Sequence, residues 1–365
     1  MRIGIYPAGK NDAITDVPGV RVANLTKIEG AAGPLHPGIG PVRTGATAIV
    51  PNDDIWDRRV AAATFDLNGN GEMSGTHWVD EAGFLEVPIV LTNTLNVGRV
   101  DDGVVSWLIK KHPNIGIRED VPLPVVAECD DQALNDIQGR HVSPDDVVKL
   151  LDAAKPGQFA RGSVGAGTGM RAFGFKAGIG SASRLIVSQA ATYTVGVLVN
   201  ANTGTREELR IDGVPVGAKL AHELLPRFPE RAAYEPTHGR AADGSIIIVI
   251  ATDAPLDATQ LRKVAKRAAL GLARTGATSH TSSGDLFIAF STAITYPRGY
   301  PHALLAPVAR LNDDALDPIL SATVEATEVA IYDSLFSAHT MSGAHGITFY
   351  GLPLARVRAM LRAAR

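Results

Sequence analysis

Six runs of the chain are apolar almost from end to end. They are TGATAIVP (44–51), VPIVLTNT (87–94), VPLPVVAEC (121–129), TYTVGVLVNAN (192–202), SIIIVIATD (245–253) and GDLFIAFSTA (284–293). Each has the length of a strand and is closed by polar or turn residues. A strand with one wet face alternates apolar and polar residues. Ile246 to Ile250, five β-branched residues in a row, does not alternate. Such strands are expected to be buried on both faces, between helical layers. The helices to cover them are also legible. Ser143-Pro144-Asp145-Asp146 opens one, with Val147, Val148, Leu150 and Leu151 on its apolar side. In APLDATQLRKVAKRAALGLARTG (254–276), Leu261, Val264, Ala265, Ala268 and Leu272 form one stripe and Gly276 suits the stop. Asp317-Pro318 opens a third, through Ile319, Leu320, Thr323, Val324, Thr327 and Ile331. The expectation is a layered α/β fold.

Several function classes are disfavoured on composition. The 35 basic and 38 acidic side chains give a net charge of −3, without the basic footprint that nucleic acid or an anionic membrane attracts. No window reaches the length of a membrane span, and the opening MRIGIYPAGKNDAITD lacks a long apolar region. A single cysteine, Cys129, precludes an internal disulfide. A soluble, cytoplasmic protein is therefore expected. The segment GSVGAGTGM (162–170) has neither the GK[ST] ending of a phosphate loop nor G-x-G-x-x-G, so its glycines are expected to pack closely or to line a pocket. The ten histidines are scattered without H-E-x-x-H, His339 and His345 included, and no metal site is expected. No G-x-S-x-G elbow occurs. Cys129 lies between Glu128 and Asp130, whose charges raise a thiol pKa, so a small buried residue is expected there.

What remains is a set of polar residues at strand ends. Ser245 stands first in its strand, directly after Asp243-Gly244 and a long polar stretch (225–244) of the kind that tolerates chain breaks. Ser283-Gly284-Asp285 precedes the strand LFIAFS, and Asn202 ends VGVLVNAN. If these strands are neighbours, their hydroxyls, amide and carboxylates meet on one edge of a rigid sheet. Taken singly, each residue is what strand ends and turns ordinarily contain. On pattern alone both readings stand.

Nine segments, in order, resemble the self-processing N-terminal-serine aminopeptidases, the family of the L-aminopeptidase/D-amidase/esterase and the β-peptidyl aminopeptidases. They are NDAITDVPGVRV, TGATAIVP, NGNGEMSGTHWVDEAG, LTNTLNVG, AECDDQALNDI, GAGTGMRAFGFKAGIGSASR, VGVLVNANTGTREELRIDGVPVG, GSIIIVIATDAPLDATQLRKVAKRAALGLARTG and SGDLFIAFSTA. The resemblance implies a single-domain αββα sandwich, layered like the N-terminal-nucleophile hydrolases. It implies self-cleavage between Gly244 and Ser245 into fragments 1–244 and 245–365. By the same resemblance Ser245 is the nucleophile. Ser283 and Asp285 assist it, the aspartate standing where the family commonly has glutamate. Asn202 helps to hold the oxyanion, and Glu128 receives the substrate's free ammonium group. The implied substrates are small peptides, amino-acid amides or esters. No metal or organic cofactor is implied, and the processed chain pairs are expected to form homo-oligomers. Acyl transfer in the manner of ornithine acetyltransferases, and an uncleaved small-amine binding protein, are the alternatives.

One position departs from the family. Where compared aminopeptidases have a tyrosine two residues after the glutamate, this chain has Asp130. Three roles are open to it: a second anchor for a cationic amine, a protonated partner beside Glu128, or the cap of a turn. The pocket walls are expected around Met73, His77, Trp78 and Phe173.

Overall fold

The computed structural model describes residues 3–188, 191–229, 244–299 and 308–364. In chain order its strands are β1 (Arg21–Glu29), β2 (Val42–Val50), β3 (Arg58–Gly69), β4 (Phe84–Leu85), β5 (Ile89–Thr92), β6 (Val125–Glu128), β7 (Arg171–Ala172), β8 (Phe175–Lys176), β9 (Ile179–Val187), β10 (Thr192–Asn202), β11 (Ser245–Thr252), β12 (Gly284–Pro297), β13 (Met341–Ser342) and β14 (Thr348–Phe349). Its helices are α1 (Thr76–Ala82), α2 (Val97–Lys111), α3 (Pro144–Asp152), α4 (Val216–Lys219), α5 (Ala258–Arg274), α6 (Asp317–Phe336) and α7 (Leu354–Ala363). Two sheets form the middle: a four-stranded one, β1-β2-β5-β6, and a six-stranded one, β4-β3-β12-β11-β10-β9. Helices α2 and α3 cover the first, while α5 and α6 cover the second. This is the αββα layering that the family resemblance implies, and it agrees with the layered α/β fold expected from the apolar runs.

The unbroken apolar runs have a direct cause. In β11, Ile247, Val249 and Ala251 join the core between the sheets, whereas Ile246, Ile248 and Ile250 join the core beneath α5 and α6. Both faces are dry, so period-two alternation disappears and every residue from Ile246 to Ala251 is apolar. Each such isoleucine contributes roughly 1.5–3 kcal/mol by leaving water. β11 runs parallel to β12 and antiparallel to β10. Helix α5 makes the crossover between β11 and β12, as a parallel pair requires.

Two of the helix starts, those of α3 and α5, are set by capping boxes. Ser143 Oγ accepts from the Asp146 amide at 3.2 Å while Asp146 accepts back from the Ser143 amide at 2.9 Å. Asp257 and Gln260 reciprocate in the same way at the start of α5. Each satisfies two otherwise orphaned amides. The stripe Leu261, Val264, Ala265, Ala268 and Leu272 is buried as the spacing predicts. Helix α6 is instead buried over most of its circumference, because it packs on β9, β10 and α5 together.

The glycine segment 162–170 serves packing. A Cβ at Gly167 would lie 2.3 Å from the Ile179 amide nitrogen, and one at Gly169 would lie 2.5 Å from the Arg43 carbonyl. Lys176, fully buried, pins this segment by donating to the carbonyls of Met170 at 2.7 Å, Ala177 at 2.6 Å and Gly167 at 3.2 Å. Of the polar stretch 225–244, residues 230–243 lie outside the described residues.

Candidate active site

Register places the strand-end residues side by side. Asn202 pairs with Ser245 across β10 and β11, and Ser245 pairs with Gly284 across β11 and β12. Gly284 in turn faces Gly69 of β3. One rim of the six-stranded sheet therefore carries Asn202, Ser245 and Gly284 in a row. Alternation along β11 sets Ser245 on the same face as Ile247 and Val249, toward the other sheet. There it lines a cavity of about 550 Å³ with Glu128, Asp130 and Asn202. That volume suits a small ligand.

Ser245 is 7% exposed, and its Oγ accepts from the Gly284 amide at 3.4 Å, a long contact. Its predecessor Gly244 sits at φ +113°, and a Cβ there would fall 1.9 Å from the Asn202 carbonyl oxygen. No side chain fits at position 244 without moving the backbone of β10. The Asn202 amide is clamped at both ends. Its Oδ1 accepts from the Arg171 amide at 3.1 Å, and its Nδ2 donates to the Asp130 carbonyl at 3.0 Å. The second hydrogen on Nδ2 is not used by that bond.

Ser283 and Asp285 stand together behind this rim. The Ser283 hydroxyl donates to Asp285 Oδ1 at 2.7 Å, and both residues are buried. The shorter aspartate thus reaches its hydroxyl without strain in the pairing. Burial pushes the Asp285 carboxyl up, and the hydroxyls of Ser283 and Ser279 oppose that rise. Ser282, not Ser283, is the member of this turn that lines the cavity.

The opposite wall belongs to the four-stranded sheet. Glu128 is the last residue of β6 and is 3% exposed. Its Oε1 accepts from the Glu72 amide at 3.0 Å, and its Oε2 accepts a short bond from the Thr94 hydroxyl. Burial raises its pKa despite these donors, and the charges of Asp130 and Glu72 add to the rise. Asp130 also faces the cavity, with Oδ1 accepting from the Gln132 amide at 2.8 Å, the contact of an Asx turn. Burial raises its carboxyl pKa while the Arg171 charge pulls it down. Turn capping and a cavity-facing carboxylate therefore coexist in Asp130.

The expected walls are corrected. Met73, His77, Trp78 and Phe173 do not line this cavity; Asn70, Glu72, Thr94, Leu95, Ala133, Ile137 and Arg171 do. Met73 is buried in a bridge to Ala127, and Trp78 is turned away to donate to Glu86 at 3.0 Å. Phe173 is wholly buried against the backbone of Gly204, and His77 is exposed. Large side chains are poor guides to a polar cleft. The missed residues Asn70, Glu72 and Thr94 fall inside NGNGEMSGTHWVDEAG and LTNTLNVG, two of the segments that carry the family resemblance. Cys129 is buried as expected, and its thiol is pushed well up, by burial first and then by the neighbouring carboxylates.

Comparison with known proteins gives the family. Peptidase family S58 matches residues 12–349. The β-peptidyl aminopeptidase BapA of Sphingosinicella microcystinivorans is 43% identical over 366 residues, spanning 99% of this chain and 91% of its own. The crystal structure of the PH0078 protein from Pyrococcus horikoshii OT3 superposes with a TM-score of 0.91 at 43% identity, covering 100% of this chain and 97% of that one. The L-aminopeptidase D-Ala-esterase/amidase of Ochrobactrum anthropi, described as a prototype for the serine aminopeptidases and a variant of the N-terminal-nucleophile hydrolase fold, gives 0.88 at 36% identity, with 99% and 96% covered. A match of this extent, on a fold that gathers these strand-end residues around one cavity, means that the chain belongs to peptidase family S58 and is an aminopeptidase/amidase of the N-terminal-nucleophile type.

Proposed function

We propose that the chain cuts itself between Gly244 and Ser245, and that the new amino-terminal Ser245 hydrolyses amides or esters next to a free amino group. The observation that carries this reading is the state of the Gly244–Ser245 pair. The glycine holds a left-handed backbone against the Asn202 carbonyl, and the serine hydroxyl opens into the cavity. In the first step Ser245 Oγ attacks the Gly244 carbonyl carbon. The C–N bond breaks as the acyl group moves to oxygen, and water then hydrolyses the ester. The products are a carboxylate on Gly244 and a free α-amino group on Ser245. That amine, with a reference pKa of about 7.7–8.0, supplies a base beside its own hydroxyl at neutral pH.

In turnover Glu128 holds the substrate ammonium and Ser245 Oγ attacks the adjacent carbonyl. The uncommitted Asn202 N–H and backbone amides receive the oxyanion. Ser283, oriented by Asp285, relays the proton between the amine and the leaving group. Water then releases the acyl group. Fragments 1–244 and 245–365 stay together, since β11 and β12 lie between β3 and β10 in the same sheet. The relatives named for β-peptides and for D-alanyl esters make β-peptides, D-alanyl amides and short α-peptides the substrates to screen. Cytoplasmic residence and a homo-oligomer of processed pairs complete the reading.

Intact mass spectrometry of the purified protein beside Ser245→Ala is the test. Two fragments, the smaller beginning at Ser245, with an uncut variant, are expected. A parent chain that stays at 38.3 kDa after long incubation overturns the proposal.

A further inference from the structure

We propose that Asp130 is a specificity-determining residue which, beside Glu128, selects substrates whose amino-terminal residue carries a second amine, as a lysyl or ornithyl group does. This rests on the reading of Glu128 as the ammonium anchor. Both carboxylates line the same cavity as Ser245, two residues apart in sequence. Extended backbone separates such Cα atoms by about 7 Å, a span that a short diamine bridges. Glu128 spends one lone pair of each oxygen on Glu72 and Thr94, and Asp130 spends one on Gln132. Acceptor capacity remains on both for an ammonium group.

Charge decides between one cation and two. Among the described residues, the charged side chains lining the cavity are Glu72, Glu128 and Asp130 against Arg171. A single substrate ammonium leaves that lining net negative, and a second brings it to neutrality. Arg171 attracts Asp130, yet burial still holds the carboxyl above its ordinary pKa, so the arginine does not replace the water that Asp130 has lost. Leu95, Ala133 and Ile137 supply apolar surface on the same cavity, which suits the methylene stem between two amines. A tyrosine in place of Asp130 would add a hydroxyl but no charge, and would lack this selection.

Lysinamide and norleucinamide, matched in length but not in charge, separate the possibilities by the inhibition constant each shows as a competitor of alanyl p-nitroanilide hydrolysis by the purified protein. Expected is about 10–150-fold tighter binding of lysinamide. Asp130→Asn, which can keep the Gln132 contact, is expected to remove most of that ratio, and Asp130→Glu to retain it. The kcat/KM ratio of lysyl to norleucyl p-nitroanilide should fall with Asp130→Asn by the same factor, through KM. Equal binding of the two amides by the parent, or an undiminished lysyl preference in Asp130→Asn, overturns the proposal. Glu128→Gln tests the underlying reading separately. It should weaken both ligands, and norleucinamide binding that survives it removes the ammonium anchor, whatever the Asp130 ratio shows.

Discussion

The two sheets meet at the cavity with edges of different construction. On the six-stranded side, Asn202, Ser245 and Gly284 are ladder positions, fixed by backbone register on a rim with strands on both sides. On the four-stranded side, β6 is four residues long; the Cys129 amide still donates to the Thr92 carbonyl at 3.3 Å, and the chain then leaves the ladder for a turn at Asp131. That turn is held by side chains. Asp131 accepts from Thr44 at 2.5 Å, from Asn135 at 2.9 Å and from Asn93 at 3.3 Å. Its burial pushes the carboxyl up to about 7. Bond-making groups need fixed geometry, which a ladder supplies, whereas a turn tolerates exchange of the residue it presents. Asp130 sits on the turn, where the departure from the family's tyrosine falls. The difference implies that variants on the first edge act on processing and kcat, and variants on the second act on KM.

The largest expected effect is on the first edge. Ser245→Ala should abolish both self-cleavage and turnover, leaving a folded, uncut chain. Gly244→Ala tests whether the conformation before the serine matters as much as the hydroxyl. Its methyl group would meet the Asn202 carbonyl, so cleavage followed by mass spectrometry should slow at least tenfold. Cleavage at the parent rate in Gly244→Ala would break the claim that the ladder side is rigid. Asn202→Ala removes the proposed oxyanion donor and should lower kcat about 10²–10³-fold with a smaller change in KM. A pure KM effect there would erase the contrast between the two edges.

On the second edge, Glu128→Gln keeps the shape and removes the charge. Loss of one charged hydrogen bond predicts about a 10–150-fold rise in KM for aminoacyl amides, with kcat little altered. Substrates blocked at the amino group should show no such difference, and a comparison of acetylated and free alanyl p-nitroanilide reads this directly. If kcat falls as steeply as it does in Asn202→Ala, Glu128 belongs with the chemistry and the division of labour is wrong.

The sequence made one edge far more legible than the other. Strands β10, β11 and β12 show as apolar runs because both of their faces are dry, and Ser245 is conspicuous as the hydroxyl that begins one. The capping boxes at Ser143 and Asp257 are local, so they too can be read from a few residues. Strand order is not local. That Ser245 lies between Asn202 and Gly284 depends on the crossover of α5 and on register, which periodicity does not encode. Glu128 comes from the other sheet, and only the family resemblance pointed to it. The walls expected around Met73, Trp78 and Phe173 are not there because Met73 and Phe173 are buried in packing and Trp78 donates to Glu86. Phe173 fills a gap over Gly204, while the walls are made by Thr94, Asn70 and the turn around Asp130.

The smallest expected effect is in pH dependence, where the two properties of Glu128 move in opposite directions. Its folded-state pKa is raised by burial, above the ordinary glutamate value of about 4.3. Folding therefore gains most from this residue at pH below that value, where it is protonated in both states. The gain is lost as pH rises through the raised pKa, since the folded chain must then carry a poorly solvated charge. In the proposed role as ammonium anchor, Glu128 needs that charge, and substrate binding should be lost as pH falls through the same pKa. The acid limb of kcat/KM should accordingly lie above the ordinary glutamate range, and in Glu128→Gln it should move. Thermal melts should show Glu128→Gln more stable than the parent near pH 7 and no different near pH 4. A variant destabilised at pH 7 would mean that the bonds from Glu72 and Thr94 outweigh desolvation, and that the recognition edge is built for stability as firmly as the ladder edge.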